Sequence, residues 1–318
     1  MSAAPRKDSA LSRLSALIEH FNPHRDALSF GGTITEIGAG YGRIAGLGGN
    51  ACTGDILVDG TNARLCAEVL QVDAEAAQIA PYQASLKLGD RMFRRGPPTI
   101  APTSEWLGRA VNAFGEPIDN LGRLARGREP VAVRGPPPAA LDRRLVSTGV
   151  STGVKVVDLF TPLCVGQRMG VFAGSGVGKS TLLNMLTRAD RFELTVVGLI
   201  GERGREVREF IDQLDAAARS RLIIVVATSD ESALQRRMAA ETTMAVAEHF
   251  RNLGHSVLAI LDSVTRFALA CREIAIAAGE PPVSRGFPPS VFTALPRLLE
   301  RAGPGPEGAG DITAVFSV

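Results

Sequence analysis

The spacing of apolar residues changes near residue 151, and the two halves of the chain predict different kinds of domain. Between residues 28 and 98, short β-like runs alternate with glycine-rich turns, which predicts a small all-β domain closed as a barrel. From residue 151 onward, apolar runs alternate with amphipathic segments, which predicts a mostly parallel sheet with helices on both faces. The predicted division is a barrel domain over 23–98, a connecting segment packed on the core over 99–150, and an α/β domain over 151–318.

The α/β half contains five apolar runs that predict strands and five longer segments that predict helices. The predicted strands are 169–173, 194–200, 222–227, 256–261 and 311–318. The predicted helices are 180–189, 205–219, 231–253, 263–278 and 290–301. Sheets of this kind bind ligands at the carboxyl ends of their strands. Polar residues that follow these strands are therefore the first candidates for chemistry.

Residues 1–22 predict a short amphipathic helix ahead of the barrel. Leu11, Leu14, Ile18 and Phe21 recur at a spacing that places them on one helical face. Such a helix either packs on its own chain or binds a partner protein, and the sequence leaves both open.

Composition excludes some classes of function. The formal net charge of +2 provides no strong field for nucleic acid or for an anionic membrane. The two tyrosines, Tyr41 and Tyr82, have few aromatic neighbours, which argues against a platform for single-stranded nucleic acid. No apolar run is long enough to span a bilayer, and the four scattered cysteines predict reduced thiols and no zinc site in a cytoplasmic protein.

A glycine-rich loop joins the first predicted strand of the α/β half to its first helix. Its residues are Gly174, Ser175, Gly176, Val177, Gly178, Lys179, Ser180 and Thr181. Backbone N–H groups of such a loop converge on phosphate oxygens, and the helix dipole favours the same anion. Lys179 adds a charge for the outer phosphates and Ser180 a hydroxyl for Mg²⁺. The pattern predicts a P-loop, although Ala173 replaces its first glycine and fits only with a negative φ.

Two other strand ends carry charged residues. Asp262 ends a buried run, where an acid either caps the next helix or orients Mg²⁺, and a P-loop on the same sheet favours the metal role. Glu202, Arg203 and Glu206 follow another buried run. A carboxylate there can polarise an attacking water, and an arginine can neutralise a transferred phosphoryl group. On the residues alone, a charged helix N-terminus with a surface ion pair explains this second group better.

Four segments resemble the catalytic, β-type branch of the rotary ATPase superfamily. They are FGEPID (114–119), STGVKVVDLFTPLCVGQRMGVFAGSGVGKST (151–181), IGERGREVREF (200–210) and LDSVTRFA (261–268). Three more segments resemble the type III secretion ATPase group, which includes the flagellar export ATPases. They are ETTMAVAEHFRNLG (241–254), DSVTRFALACREIAIAAGEPP (262–282) and SRGFPPSVFTALPRLLERAG (284–303). The resemblance favours the flagellar members over the injectisome members.

The resemblance implies a RecA-like core that binds ATP and Mg²⁺. Residues 174–181 would wrap the phosphates. Glu202 would be the general base, which reverses the preference drawn from the residues alone. Arg203 and Arg266 would lie near the terminal phosphate. Glu206 and Asp262 would hold the water shell of Mg²⁺, with Ser180 on the ion itself.

The resemblance also implies partners and a location. The chain would form a homohexamer with the barrel as its collar, and the helix of 1–22 would bind a stator-like regulatory protein. Export proteins with their chaperones would be its substrates. It would be cytoplasmic, associated peripherally with the export gate of the inner membrane, and would bind no nucleic acid.

The run DITAVFSV (311–318) closes the sequence, whereas in the family the sheet continues and a helical domain follows. The family's arginine finger and much of its adenine pocket lie in that later part. The resemblance therefore implies a C-terminally truncated chain, with its last strand on an unfinished sheet that has an exposed edge, and with weak ATPase activity.

Two alternatives remain open. A hexameric RNA translocase of the transcription-termination kind also has a P-loop and a D-S-x-T-R run, but the few aromatics and modest charge of residues 28–98 count against it. A non-catalytic nucleotide-binding subunit of a rotary-type ring is the other alternative. Glu202 counts against that subunit, because such subunits generally lack the carboxylate.

Overall fold

The described part of the chain begins just before the barrel. A computed structural model describes residues 30–38, 40–60, 64–82, 86–146, 148–174 and 176–318. The helix predicted for residues 1–22 lies outside the described residues. Within them, no helix is long and apolar enough to cross a membrane.

Six antiparallel strands close into the predicted N-terminal barrel. They are β1 (Gly31–Gly38), β2 (Tyr41–Ala45), β3 (Ile56–Asp59), β4 (Leu65–Val72), β5 (Ala76–Pro81) and β6 (Arg91–Gly96). Their order around the barrel is β1-β2-β5-β4-β3-β6. Ile44, Leu57 and Ile79 point into its interior and are fully buried there. The alternation of apolar and polar positions in this region therefore has its usual cause, which is a strand with one buried face.

The connecting segment predicted over 99–150 contains four short strands. It forms the two-residue strands β7 (Thr99–Ile100), β8 (Ala110–Val111), β9 (Val131–Ala132) and β10 (Gly149–Val150). β7 pairs with β9, while β8 adds a parallel strand to the edge of the main sheet. The chain makes a tight turn at Gly115, whose N–H donates to the Asn112 carbonyl at 3.0 Å and whose φ is +77°.

The rest of the chain forms the predicted parallel sheet with its helices. The remaining strands are β11 (Leu163–Cys164), β12 (Arg168–Val171), β13 (Leu194–Glu202), β14 (Leu222–Thr228), β15 (Ser256–Asp262), β16 (Gly303–Pro304) and β17 (Asp311–Ser317). Of these, β11 pairs with β10 in a separate two-stranded sheet, and β16 pairs antiparallel with β17. The helices are α1 (Lys155–Phe160), α2 (Lys179–Leu186), α3 (Gly204–Asp212), α4 (Ala216–Ser220), α5 (Ala233–Asn252), α6 (Val264–Ala277) and α7 (Pro289–Leu299). The main strand order is β12-β17-β15-β13-β14-β8.

Both faces of the main sheet are buried. In β13, Val196 and Ile200 pack in one apolar cluster with α5 and α6, whereas Val197 and Leu199 pack in a second cluster with α2 and α3. A parallel strand covered on both faces needs apolar residues at every position, which explains its unbroken apolar run.

β17 is an interior strand of the main sheet. The resemblance implies that residues 311–318 lie on an unfinished sheet with an exposed edge, and β17 itself is hydrogen-bonded to β12 on one side and to β15 on the other. The edge strand on this side of the sheet is β12, in which Arg168 and Gly170 are exposed, and β8 lies at the opposite edge. Sequence order carries no information on this point, because crossover connections can place a late strand in the middle of a parallel sheet.

The prediction of one helix over 205–219 is wrong in its extent. The structure divides it into α3 and α4, with a break at residues 213–215. The Asp215 carboxylate accepts a hydrogen bond from the Ala218 N–H at 2.8 Å and so caps a new helix.

Buried charges connect the barrel to the α/β domain. Glu68 of β4 accepts hydrogen bonds from Tyr82, from Arg134 of the connecting segment and from Arg237 of α5. Arg134 also donates to Glu241 of α5 at 2.7 Å. The two domains therefore meet through a network of paired charges as well as through apolar contacts.

Candidate nucleotide-binding site

The predicted P-loop has the geometry of a phosphate cradle. β12 ends at Val171, two residues before the predicted end of this strand, and α2 begins at Lys179, one residue before the predicted start of this helix. Gly176 and Gly178 have φ values of +78° and +96°, which residues with a side chain rarely adopt. No atom lies within 4 Å of the place that a Cβ would take at these two glycines or at Gly174. The loop is therefore open to an incoming anion, and Val177 is exposed beside it.

The replacement of glycine by Ala173 is compatible with this loop. Among the described residues, the non-glycine residues with a positive φ are Asn120 and Arg285, so Ala173 keeps the negative φ that it requires. Its N–H donates to the Val318 carbonyl at 3.3 Å. Ser175, the next residue but one, lies outside the described residues.

Lys179 and Asp262 meet across the edge of the sheet. The Lys179 Nζ lies 2.7 Å from Oδ1 of Asp262, and their side chains are 22% and 6% exposed. Asp262 ends β15, two strands away from β12, and the parallel arrangement brings both strand ends to the same edge. The structure thus joins the P-loop lysine to the carboxylate predicted for Mg²⁺.

Glu202 and Glu206 form a carboxyl pair beside this ion pair. Burial of Glu202, its hydrogen bond with Glu206 and the charge of Asp262 raise the pKa of Glu202 to about 7, against the opposing effect of Lys179. The same hydrogen bond lowers the pKa of Glu206. Glu206 also accepts from the backbone N–H of Arg203 at 3.3 Å. A carboxyl whose pKa lies near neutrality is suited to exchange a proton with water.

The two predicted arginines border the cluster. Arg203 precedes α3, and its guanidinium lies 3.7 Å from Glu206 with a side chain that is 67% exposed. Arg266 lies in the first turn of α6, and its stem is 3.1 Å from the place of a Cβ at Gly201. Gly201 has a φ of +71° and immediately precedes Glu202, so a larger residue there would displace Arg266.

The residues present fit Mg²⁺ that is bound together with a nucleotide. Ser180 and Thr181 are exposed in the first turn of α2, next to Lys179. Among the described residues, no group of three or more acidic, histidine or cysteine side chains forms a ready metal cage. Mg²⁺ commonly keeps several waters and takes phosphate oxygens as ligands, so an open set of one hydroxyl and nearby carboxylates suits it.

Sequence reasoning missed one residue of this site, Ser317. Its hydroxyl donates a hydrogen bond to Oδ1 of Asp262 from the adjacent strand. The signal in the sequence is a hydroxyl residue near the end of a mostly apolar run, and such a residue is usually just a satisfied core serine.

Comparison with known proteins identifies the family. A model of the ATP synthase alpha/beta family, nucleotide-binding domain, matches residues 153–318. The chain belongs to the ATP synthase alpha/beta family. This alpha/beta family member is 48% identical over 312 residues to the flagellum-specific ATP synthase of Rhizobium meliloti (strain 1021), covering 97% of this chain and 67% of that protein.

Other relatives of this family member come from both branches that the sequence suggests. It is 47% identical over 257 residues to the type 3 secretion system ATPase of Xanthomonas euvesicatoria, covering 79% of this chain and 57% of that protein. It also resembles the assembled ATPase EscN from the type III secretion system of enteropathogenic E. coli, with a TM-score of 0.83 and 39% identity. That match covers 90% of this chain and 69% of the EscN chain. The relatives that match nearly the whole of this chain are longer than it. The chain spans about two thirds of their length.

Proposed function

We propose that this chain binds ATP with Mg²⁺ at the P-loop and hydrolyses it, as part of a ring-forming ATPase that energises flagellar or type III protein export. The observation that supports the proposal is the convergence of Lys179, Asp262, Glu202 and Glu206 at one edge of the parallel sheet. These are the charges that phosphoryl transfer needs: a cation for the outer phosphates, an acid for the metal and a carboxylate for the attacking water.

Each residue has a separate role in this proposal. Residues 174–181 hold the phosphates through backbone N–H groups, and Lys179 leaves Asp262 to bind the outer phosphates. Ser180, Asp262 and Glu206 hold Mg²⁺ directly or through its waters, and the ion neutralises charge on the phosphates. The Glu202 carboxylate accepts a hydrogen bond from the attacking water and so orients it.

The proposed assembly is a homohexamer that acts in the cytoplasm. Its support is the likeness to EscN, which has been solved as an assembled ATPase and in complex with its central stalk EscO. A stator-like protein on residues 1–22, export proteins with their chaperones, and the membrane export gate complete the proposed partners. Nucleic acid is not among them.

Nucleotide binding and phosphate release, measured on the same preparations, test the proposed chemistry. We expect Lys179→Ala to weaken binding of a fluorescent ATP analogue at least about tenfold, because the outer phosphates lose their cation. We expect Glu202→Gln to bind nucleotide normally but to lose about 100-fold or more of its turnover. Lys155→Ala and Glu209→Gln, both at exposed positions away from the loop, serve as matched controls.

The outcomes separate this proposal from its alternatives. Binding that survives Lys179→Ala would contradict the assigned phosphate site. Normal binding with turnover unchanged in Glu202→Gln would instead favour a non-catalytic nucleotide-binding subunit. Turnover that RNA stimulates would favour an RNA translocase.

A further inference from the structure

Ser317 lies on the strand between β12, which leads into the predicted P-loop, and β15, which ends at Asp262. It lies on β17, is fully buried, and pairs in register with Val171, the last residue of β12. On the other side of β17, Phe316 pairs with Leu261, the residue before Asp262. Ser317 is therefore level with the start of the P-loop and with the end of β15.

The hydroxyl of Ser317 and the ammonium of Lys179 share one acceptor. Both donate to Oδ1 of Asp262. Among the hydrogen bonds between described residues, none reaches the other carboxylate oxygen, Oδ2. The shared bonds fix the rotation of the carboxylate and leave Oδ2 available to a ligand or a water.

The two donors differ in what nucleotide binding would do to them. Lys179 is the cation of the P-loop, and outer phosphates compete with Asp262 for its ammonium. Ser317 lies on a strand that is hydrogen-bonded on both sides, so it stays in place. Once Lys179 turns to the phosphates, Ser317 is the remaining donor among the described residues that holds Oδ1.

We propose that Ser317 is a positioning residue, which holds the Asp262 carboxylate in the orientation that Mg²⁺ requires when Lys179 engages the nucleotide. The inference rests on the proposed function of this site and adds a residue to it. Side chains that orient a metal-binding carboxylate change metal affinity about 10- to 100-fold when they are removed. If the hydrogen bond only satisfied the Ser317 hydroxyl, removing that hydroxyl would change the stability of the protein and leave its affinity for Mg²⁺ unchanged.

Magnesium titrations of the nucleotide-bound chain test this role without relying on turnover. The binding of a fluorescent ATP analogue is measured over a range of Mg²⁺ concentrations and, separately, in EDTA without Mg²⁺. We expect Ser317→Ala to raise the Mg²⁺ concentration at half-saturation about tenfold or more, and to leave the affinity measured in EDTA unchanged. Ser317→Thr keeps the hydroxyl and is expected to restore the wild-type Mg²⁺ dependence.

Thr313 provides a matched control on the same strand. It is fully buried, and its hydroxyl accepts from the Gly166 N–H at 2.9 Å rather than contacting Asp262. Thr313→Val should lower stability but leave the Mg²⁺ dependence unchanged. If Ser317→Ala does not fold, Ser317→Cys, whose thiol is a weak donor, replaces it and is expected to show the same shift.

The outcomes distinguish this role from the proposed function itself. Unchanged Mg²⁺ dependence in the folded Ser317 variant, with normal Lys179-dependent binding, would overturn the role of Ser317 alone. Equal shifts in Ser317→Ala and Thr313→Val would also overturn it, because the effect would then come from general destabilisation. A wild-type chain that binds no nucleotide would overturn both proposals.

Discussion

Gly198 shows how a single residue decides whether a helix can lie on the sheet. A Cβ at this position of β13 would be 2.4 Å from the Thr243 Oγ1 and 2.8 Å from a methyl group of Leu261. α5 therefore approaches the strand as closely as it does because residue 198 has no side chain. An apolar run containing one glycine does not reveal this requirement, since the contact comes from a helix that is distant in sequence.

We expect Gly198→Ala to lower the free energy of unfolding by about 1–3 kcal/mol, the usual cost of overpacking a core. Urea denaturation followed by circular dichroism measures it. Gly204→Ala is the control, because no atom lies within 4 Å of its Cβ position and it starts a helix, so it should be neutral or stabilising by up to about 1 kcal/mol. Similar stabilities for the two variants would contradict this explanation.

At the scale of elements, α5 provides many of the buried residues of the α/β domain. Its 20 residues are mostly buried against the sheet and against α6. Its N-terminus is fixed by a reciprocal pair, in which Ser232 accepts from the Gln235 N–H and Gln235 accepts from the Ser232 N–H, both at 3.3 Å. Two donors at the start of the helix are thereby satisfied.

Ser232→Ala should lower the free energy of unfolding by about 1 kcal/mol, because the N–H of Gln235 loses its acceptor. Ser232→Asp, which retains an acceptor, should stay close to the wild type. Both values follow from thermal or urea unfolding. An alanine variant as stable as the aspartate variant would show that the cap contributes nothing here.

Most of these elements could be predicted because each is specified by its own residues. The loop at 174–181 and the acid at Asp262 follow directly from local sequence patterns. The parts that could not be predicted depend on residues far apart in the chain. They are the position of β17 between β12 and β15, the addition of β8 to the sheet, and the contact of Ser317 with Asp262. The proposed role of Glu202 as a general base rests on the family resemblance, because the residues around Glu202 alone predict a surface ion pair.

At the scale of the whole molecule, Glu68 determines how the barrel is joined to the α/β domain. Burial alone would raise the pKa of Glu68, but Arg237 and Arg134 outweigh it and lower this pKa to about 2. Burial and the neighbouring charge of Glu68 raise the pKa of Tyr82, so the phenol remains a hydrogen-bond donor. A carboxylate with two buried guanidinium partners must stay ionised for this interface to persist.

The stability that Glu68 provides should therefore depend on acid pH. Its pKa is lower in the folded state, so its contribution is complete above about pH 4.5 and is lost as the pH falls towards about 2. At 1.36 kcal/mol per pKa unit, the shift corresponds to about 3 kcal/mol. We expect Glu68→Gln to be less stable by this order at pH 7, measured by urea unfolding.

The difference between wild type and Glu68→Gln should shrink as the pH is lowered from about 4.5 towards about 2, because the carboxyl is then protonated in the unfolded state while it is still ionised in the folded state. Glu36→Gln, at an exposed position, is the control for the effect of removing a carboxylate that is not buried. A difference that does not change with pH would show that Glu68 acts through its shape rather than its charge.

The position of β17 between two other strands has a consequence for how the protein is made. β12 leads into the predicted P-loop and β15 ends at Asp262, yet these two strands are not hydrogen-bonded to each other, because β17 lies between them. Residues 311–317 leave the ribosome after both of those strands. A nascent chain that already contains Lys179 and Asp262 still lacks the strand that holds β12 next to β15 in the folded protein, so we expect the proposed nucleotide site to form only after β17 has been added to the sheet.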